Sequence, residues 1–206
     1  AGHSRGRFER EDFAADFESV AREFPDDQIA PLANLYAGMS QYRRGELDAA
    51  VASLRSITDN AASIDRAEGA PARGPASPGR DASVIEETVR KRAQFFLGLA
   101  VGALGQHAEA QRLLAPFDGQ LARGDEDADL QATLAQAAVT RRDPVGALFH
   151  FDRFFAQARP AERVYITAQV AVLVDELGDA DCERAYGNVD KKLATAAYLG
   201  QRLAKT

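Results

Sequence analysis

The sequence predicts an all-α fold of antiparallel helix pairs, on three observations. Apolar residues recur three and four positions apart, the spacing of one helix face. Alanine is abundant, and Ala combines the highest helix propensity with a small side chain that lets helix axes approach. Gly and Pro punctuate the helical stretches at short corners. The alternation that marks a half-buried strand appears nowhere. The 206 residues are 46% hydrophobic and 27% charged, as expected of a globular chain able to bury a core.

The elements follow in order. Phe13, Phe17, Val20 and Phe24 lie at i, i+4, i+7 and i+11, predicting a helix over 8–24 that Pro25 stops. A second helix is expected from Ala30 to Arg44, a corner at Gly45-Glu46, and a third helix from Leu47 to Thr58. Residues 66–83 carry Gly69, Pro71, Gly74, Pro75, Pro78 and Gly79 with no large apolar side chain, predicting a flexible insertion. Helical patterning resumes from Ser83 to Leu104, turns at Gly105-Gln106, and runs from His107 to Phe117. Further helices are expected from Asp129 to Thr140, from Val145 to Gln157 after Pro144, and from Ala161 to Gly178. Short helices near Asp181–Tyr186 and Val189–Ala204 complete the chain, read as one domain over 1–206.

The net charge of −6 argues against a nucleic-acid partner, which selects a basic face. The one cysteine, Cys182, cannot close an intramolecular disulfide. No apolar run approaches the roughly 20 residues that span a bilayer. The chain starts at Ala1 without an initiator Met, so any targeting signal is expected upstream.

Three stretches align on their corners. Gly38 matches Gly98 and Ala135; Gly45 matches Gly105 and the Arg142 corner; Ala50 matches Ala110 and Ala147. Leu54 matches Leu114 and Phe151, and Ile57 matches Phe117 and Phe154. The small residue in each first helix admits the second, and the corner residue reverses the chain. The large apolar pair fills the layer between units. At these positions the chain resembles the tetratricopeptide repeat, departing from it at Asn34, Gln94 and Ala37 and in the third corner, which lacks glycine. That resemblance implies a right-handed α-α superhelix of about three divergent repeats with partial terminal helices.

The stretch "ARPAERVYITAQV" through "RAYGNVDKKLATAAYLGQRLA" makes the chain similar to the N-terminal helical region of penicillin-binding-protein activator lipoproteins. This implies a periplasmic or envelope setting and a part in regulating peptidoglycan synthesis. "AREFPDDQIAPLANLYAGMSQYRRGELDAA" equally resembles repeat lipoproteins of outer-membrane assembly.

Residues for chemistry are sparse. His3, His107 and His150 are scattered without the converging ligands a metal needs. Asp125, Asp127 and Asp129 form D-x-D-x-D, but Leu130 and Gln136 stand where a calcium loop needs Gly and a bidentate acid. The acids are instead expected to favour a helix N-terminus. Arg43-Arg44 and Arg141-Arg142 end helices and are read as solvated cations complementing the helix dipole rather than an anion clamp. Neither metal nor cofactor is expected, nor an enzyme. The expected function is a protein–protein scaffold meeting another protein or an adjoining domain; a dimerising spacer is the bland alternative. First-type helices line the concave face of such arrays. Helical spacing nominates Leu35, Met39, Tyr42 and Arg43, then Lys91, Arg92, Phe95 and Leu99, then Gln136 and Val139. Tyr42 and Arg43 lead, as residue types enriched in interface hot spots.

Overall fold

The computed structural model describes residues 13–24, 27, 29–67 and 80–176. Among the described residues it contains eight α-helices, one short 3₁₀ turn and no strand. The helices are α1 (Phe13–Glu23), α2 (Ala30–Arg44), α3 (Leu47–Ala67) and α4 (Arg80–Ala103), then α5 (His107–Leu114), α6 (Asp125–Thr140), α7 (Pro144–Phe155) and α8 (Pro160–Glu176). The chain divides into two compact units, 1–104 and 105–206.

In the first unit α2 packs against α1, α3 and α4, and α3 packs against α4. The α2–α3 pair closes on Gly38. A methyl placed there would stand 2.6 Å from Leu54 Cγ, so glycine is what lets the fully buried Leu54 reach the α2 backbone. Ala50 and Ile57 are buried on the same face of α3. The C-terminal half of α4 is buried nearly all round, through Ala93, Phe95, Phe96, Leu97, Leu99, Ala100 and Val101. Phe17 of α1 stacks on Tyr36 of α2 at 5.2 Å. Phe24, expected on the same face, falls beyond the end of α1 and is exposed.

The second unit holds α5 to α8, with α6 packed on α5 and α7 and α7 packed on α8. Its core gathers Ala135 and Ala138 of α6, Leu148, Phe151, Phe154 and Phe155 of α7, and Ile166, Val170 and Leu173 of α8. Asp143 caps α7 by accepting from Gly146 N at 2.9 Å, with Pro144 as its first residue, where Pro loses no helical hydrogen bond.

The corners keep the register of the sequence alignment. Gly45, Gly105 and Arg142 carry φ of 79°, 80° and 58°, all left-handed. At Gly45 the amide donates to Tyr42 O and the Glu46 amide to Gln41 O; at Arg142 the amide donates to Val139 O and the Asp143 amide to Ala138 O. Both corners are therefore Schellman closures, and Arg142 accepts the left-handed conformation without glycine. The residues that follow are equivalent too. Ala50, Ala110 and Ala147 are fully buried, as are Leu54, Leu114 and Phe151.

Boundaries moved where local patterning is weak. Helix α3 continues past Thr58 to Ala67 and α4 begins at Arg80, so both ends of the expected 66–83 insertion are helical; residues 47–67 contain no Gly or Pro. The remainder of that insertion, Pro25, His3, Cys182 and both tail helices lie outside the described residues. Helix α6 starts at Asp125, four residues before expectation, because Asp125, Glu126 and Asp127 suit the positive end of the helix dipole. Helix α5 ends at Leu114 and tightens into a 3₁₀ turn over Ala115–Phe117 at Pro116.

Candidate functional site

The nominated residues separate into packing and surface. Leu35, Met39, Phe95 and Leu99 are buried, which corrects their expected place on an open groove. Helix α2 meets three neighbours, and α4 buries more than one face, so apolar residues on these helices fill contacts before any reach solvent. Val139 is half-buried and packs against the core of the second unit. Gln136, also in the second unit, is half-buried and accepts from Tyr165 Oη at 3.4 Å.

Of the remaining nominated residues in the first unit, Tyr42 and Arg92 converge. The ring of Tyr42 meets Phe96 edge-on, 6.0 Å between centroids. The Arg92 guanidinium lies over the same ring, 5.3 Å from its centre, a cation–π contact. Tyr42 and Arg92 are each half-buried, while Arg43 is exposed beside them in sequence. Phe96 was missed because its position reads as core, and it is indeed buried; its role as the ring shared by α2 and α4 depends on how those helices cross. Lys91 is exposed and pairs with Glu87 at 3.1 Å, and Arg90 also bonds Glu87. Hydrogen bonds from Lys91 and then Arg90 hold the Glu87 carboxyl below the usual range. Arg44 is held by Glu46 at 2.6 Å.

A second polar constellation, in the other unit, was not foreseen. Asp127, on the first turn of α6, and Gln131, one turn on, are both buried. Gln131 Nε2 donates to Asp118 Oδ1 and Asp127 Oδ1, each at 3.1 Å. Two carboxylates on one side fix the amide orientation, so Gln131 Oε1 accepts from His150 Nδ1 at 2.8 Å and His150 carries its proton on Nδ1. Arg153 Nη1 reaches Asp118 Oδ1 at 2.8 Å. Gln157 Nε2 donates to Asp127 Oδ2 at 2.6 Å while its Oε1 accepts from Gly124 N at 2.6 Å. One amide at the end of α7 thus clamps the start of α6. Burial lowers the pKa of His150, with Arg153 and Arg141 acting the same way and Asp118 and Asp143 opposing.

Every buried member of this constellation is satisfied by the protein, which makes it a structural tie between α6 and α7. The D-x-D-x-D acids lie on α6, where residues two apart diverge, so Asp127 is turned away from the Asp125 and Asp129 face and the three do not converge as ligands. Among the described residues no group of three His, Cys, Asp or Glu is placed to hold a metal. His107 Nδ1 is buried without a hydrogen-bond partner among them. Among the described residues no helix is long and apolar enough to cross a membrane.

Comparison with known proteins adds no family. The chain matches no family model, no curated protein and no solved structure.

Proposed function

We propose that the chain is a non-enzymatic interaction scaffold built of tetratricopeptide-like helix pairs, stacked within each unit in the right-handed sense of that repeat. Its first unit meets another protein, or an adjoining domain, through Tyr42 and Arg92 at Phe96, with the exposed Arg43 next to Tyr42 in sequence. The observation that carries this reading is the convergence of Tyr42 and Arg92 on one ring from two helices. An aromatic ring with a guanidinium over it suits an acidic segment, since Arg binds carboxylates bidentately and Tyr and Arg dominate interface energetics. The common corner register supports the repeat. The resemblance to activator lipoproteins extends the reading to the bacterial envelope and to a partner that builds peptidoglycan.

The test is quantitative capture from a bacterial envelope extract by the protein and by its Tyr42→Ala/Arg92→Glu variant. We expect one protein to be retained and its recovery to fall about tenfold in the variant, the loss typical of truncated hot spots, with helicity unchanged. A peptidoglycan synthase as the captured protein supports the envelope role. Recovery unaffected by the variant, or a small molecule bound at Phe96 in place of a protein, overturns the proposal.

A further inference from the structure

Helix α8 is apolar on two opposite faces. Ile166, Val170 and Leu173 point into the core of the second unit. Ala161, Val164, Tyr165, Ala168 and Val172 occupy the opposite arc and are all exposed; the exposure of Val164 reaches 66% and that of Val172 58%. A helix lying at a water surface carries polar residues on that arc, and one apolar all round is covered on both sides.

The border of this arc is acidic. Tyr165 Oη donates to Gln136 of α6, which brings the α6 row of Asp129, Thr133 and Gln136 alongside α8. Asp129 shares its surroundings with Asp125, Glu126 and Glu162, against the one guanidinium of Arg159. Arg159 is itself engaged by Glu162, through the backbone amide at 2.7 Å and the side chain at 3.9 Å. The surface therefore asks for an occupant that is apolar along one side and basic.

Such a segment lies in the same chain. Residues 189–206 place Val189, Leu193, Ala196 and Leu203 at i, i+4, i+7 and i+14, and carry Lys191, Lys192, Arg202 and Lys205 against the single Asp190. In a protein of net charge −6 this local excess of cations is complementary to the α6–α8 border. We propose that residues 189–206 of this chain dock on the exposed arc of α8, with their lysines toward Asp125, Asp129 and Glu162. Reach is no obstacle. Residues 177–188 separate Glu176 from Val189 and can extend to about 40 Å, whereas the 17 residues of α8 measure about 25 Å. The tether also raises the effective concentration of the segment to the millimolar range, ahead of any free competitor.

The experiment places the photo-crosslinker p-benzoylphenylalanine at position 165 of the full chain and mixes ¹⁴N- and ¹⁵N-labelled protein before irradiation. We expect crosslinks from position 165 to peptides of 189–206 within one isotope label. Their yield should fall about fivefold in the Lys191→Glu/Lys192→Glu variant, the effect of losing two surface ion pairs, with helicity unchanged. Crosslinks that join the two labels show a second copy on the arc and overturn the proposal. So does a yield to 189–206 that is absent or indifferent to the charge reversal.

Discussion

Gly38 and Leu54 form the contact on which the α2–α3 pair depends. Leu54 Cγ and Cδ2 would lie 2.6 and 2.8 Å from a β-carbon at position 38, and Leu54 is fully buried. Gly38→Ala should therefore cost about 1–3 kcal/mol through overpacking, against the small gain expected from replacing a helical glycine. Leu54→Ala alone should cost about 2–5 kcal/mol. In the double variant the new methyl occupies part of the space the leucine leaves, so its cost should be less than the sum by about 1 kcal/mol. Urea unfolding of the four proteins measures this; strict additivity would show that the two residues do not share one space. The sequence alignment selected both positions as a small residue and a layer-filling residue, and the residue scale was legible because steric demand leaves a direct mark on residue type.

At the scale of the element, the third corner is the informative one. Arg142 adopts φ 58° with the same closing hydrogen bonds as Gly45, although a β-carbon disfavours that region by about 1 kcal/mol. Part of its tolerance comes from the next residues, where Asp143 both completes the closure and caps α7. Arg142→Gly should relieve the strain and raise stability by about 0.5 kcal/mol after the larger entropy of an unfolded glycine is deducted. A higher urea midpoint at unchanged slope checks it, and a lower midpoint would show the arginine side chain to be stabilising in its own right. Without glycine, this corner was readable from Pro144 as a first helical residue and from its place in the repeat. The longer span of α3 was not readable: its extension past Thr58 lacks both a stop signal and a decisive apolar rhythm.

For the molecule as a whole, two ionisable groups give stability opposing dependences on pH. Desolvation, then the charges of Asp125 and Glu162, raise Asp129 to about 6 from an ordinary value of 3.8, with Arg159 opposing. The folded chain thus binds a proton more tightly there, and stability declines as pH rises from about 4 through 6. Where the lysines of 189–206 are taken from this border, as in the Lys191→Glu/Lys192→Glu chain, Asp129→Asn should be the more stable protein at pH 7, with the difference closing as pH falls through about 6. Because much of the Asp129 surface is exposed, solvent screening limits the gain to about 0.5–1 kcal/mol. His150 acts in the other sense. Its folded pKa is lowered by burial, so its contribution is intact above the ordinary histidine value of 6.5 and is lost as pH falls through it. Chemical denaturation of Asp129→Asn in the Lys191→Glu/Lys192→Glu chain at a series of pH values resolves the Asp129 part; a constant offset from pH 4 to 8 would refute it.

The sequence by itself determined that the chain is helical, where its corners fall, and which small and large residues build each helix pair, because periodicity and steric demand are local properties. Only the tertiary structure decided which nominated residues are surface. Leu35, Met39, Phe95 and Leu99 share the helical spacing of Tyr42 and Arg92, and it is the number of neighbours around α2 and α4 that buries the first four. The tie among Asp118, Asp127, Gln131, His150, Arg153 and Gln157 was likewise hidden, since its members come from two helices and the turns beside them, segments far apart in sequence. Side-chain networks of that kind are fixed by how elements cross, a quantity that no single stretch of sequence carries.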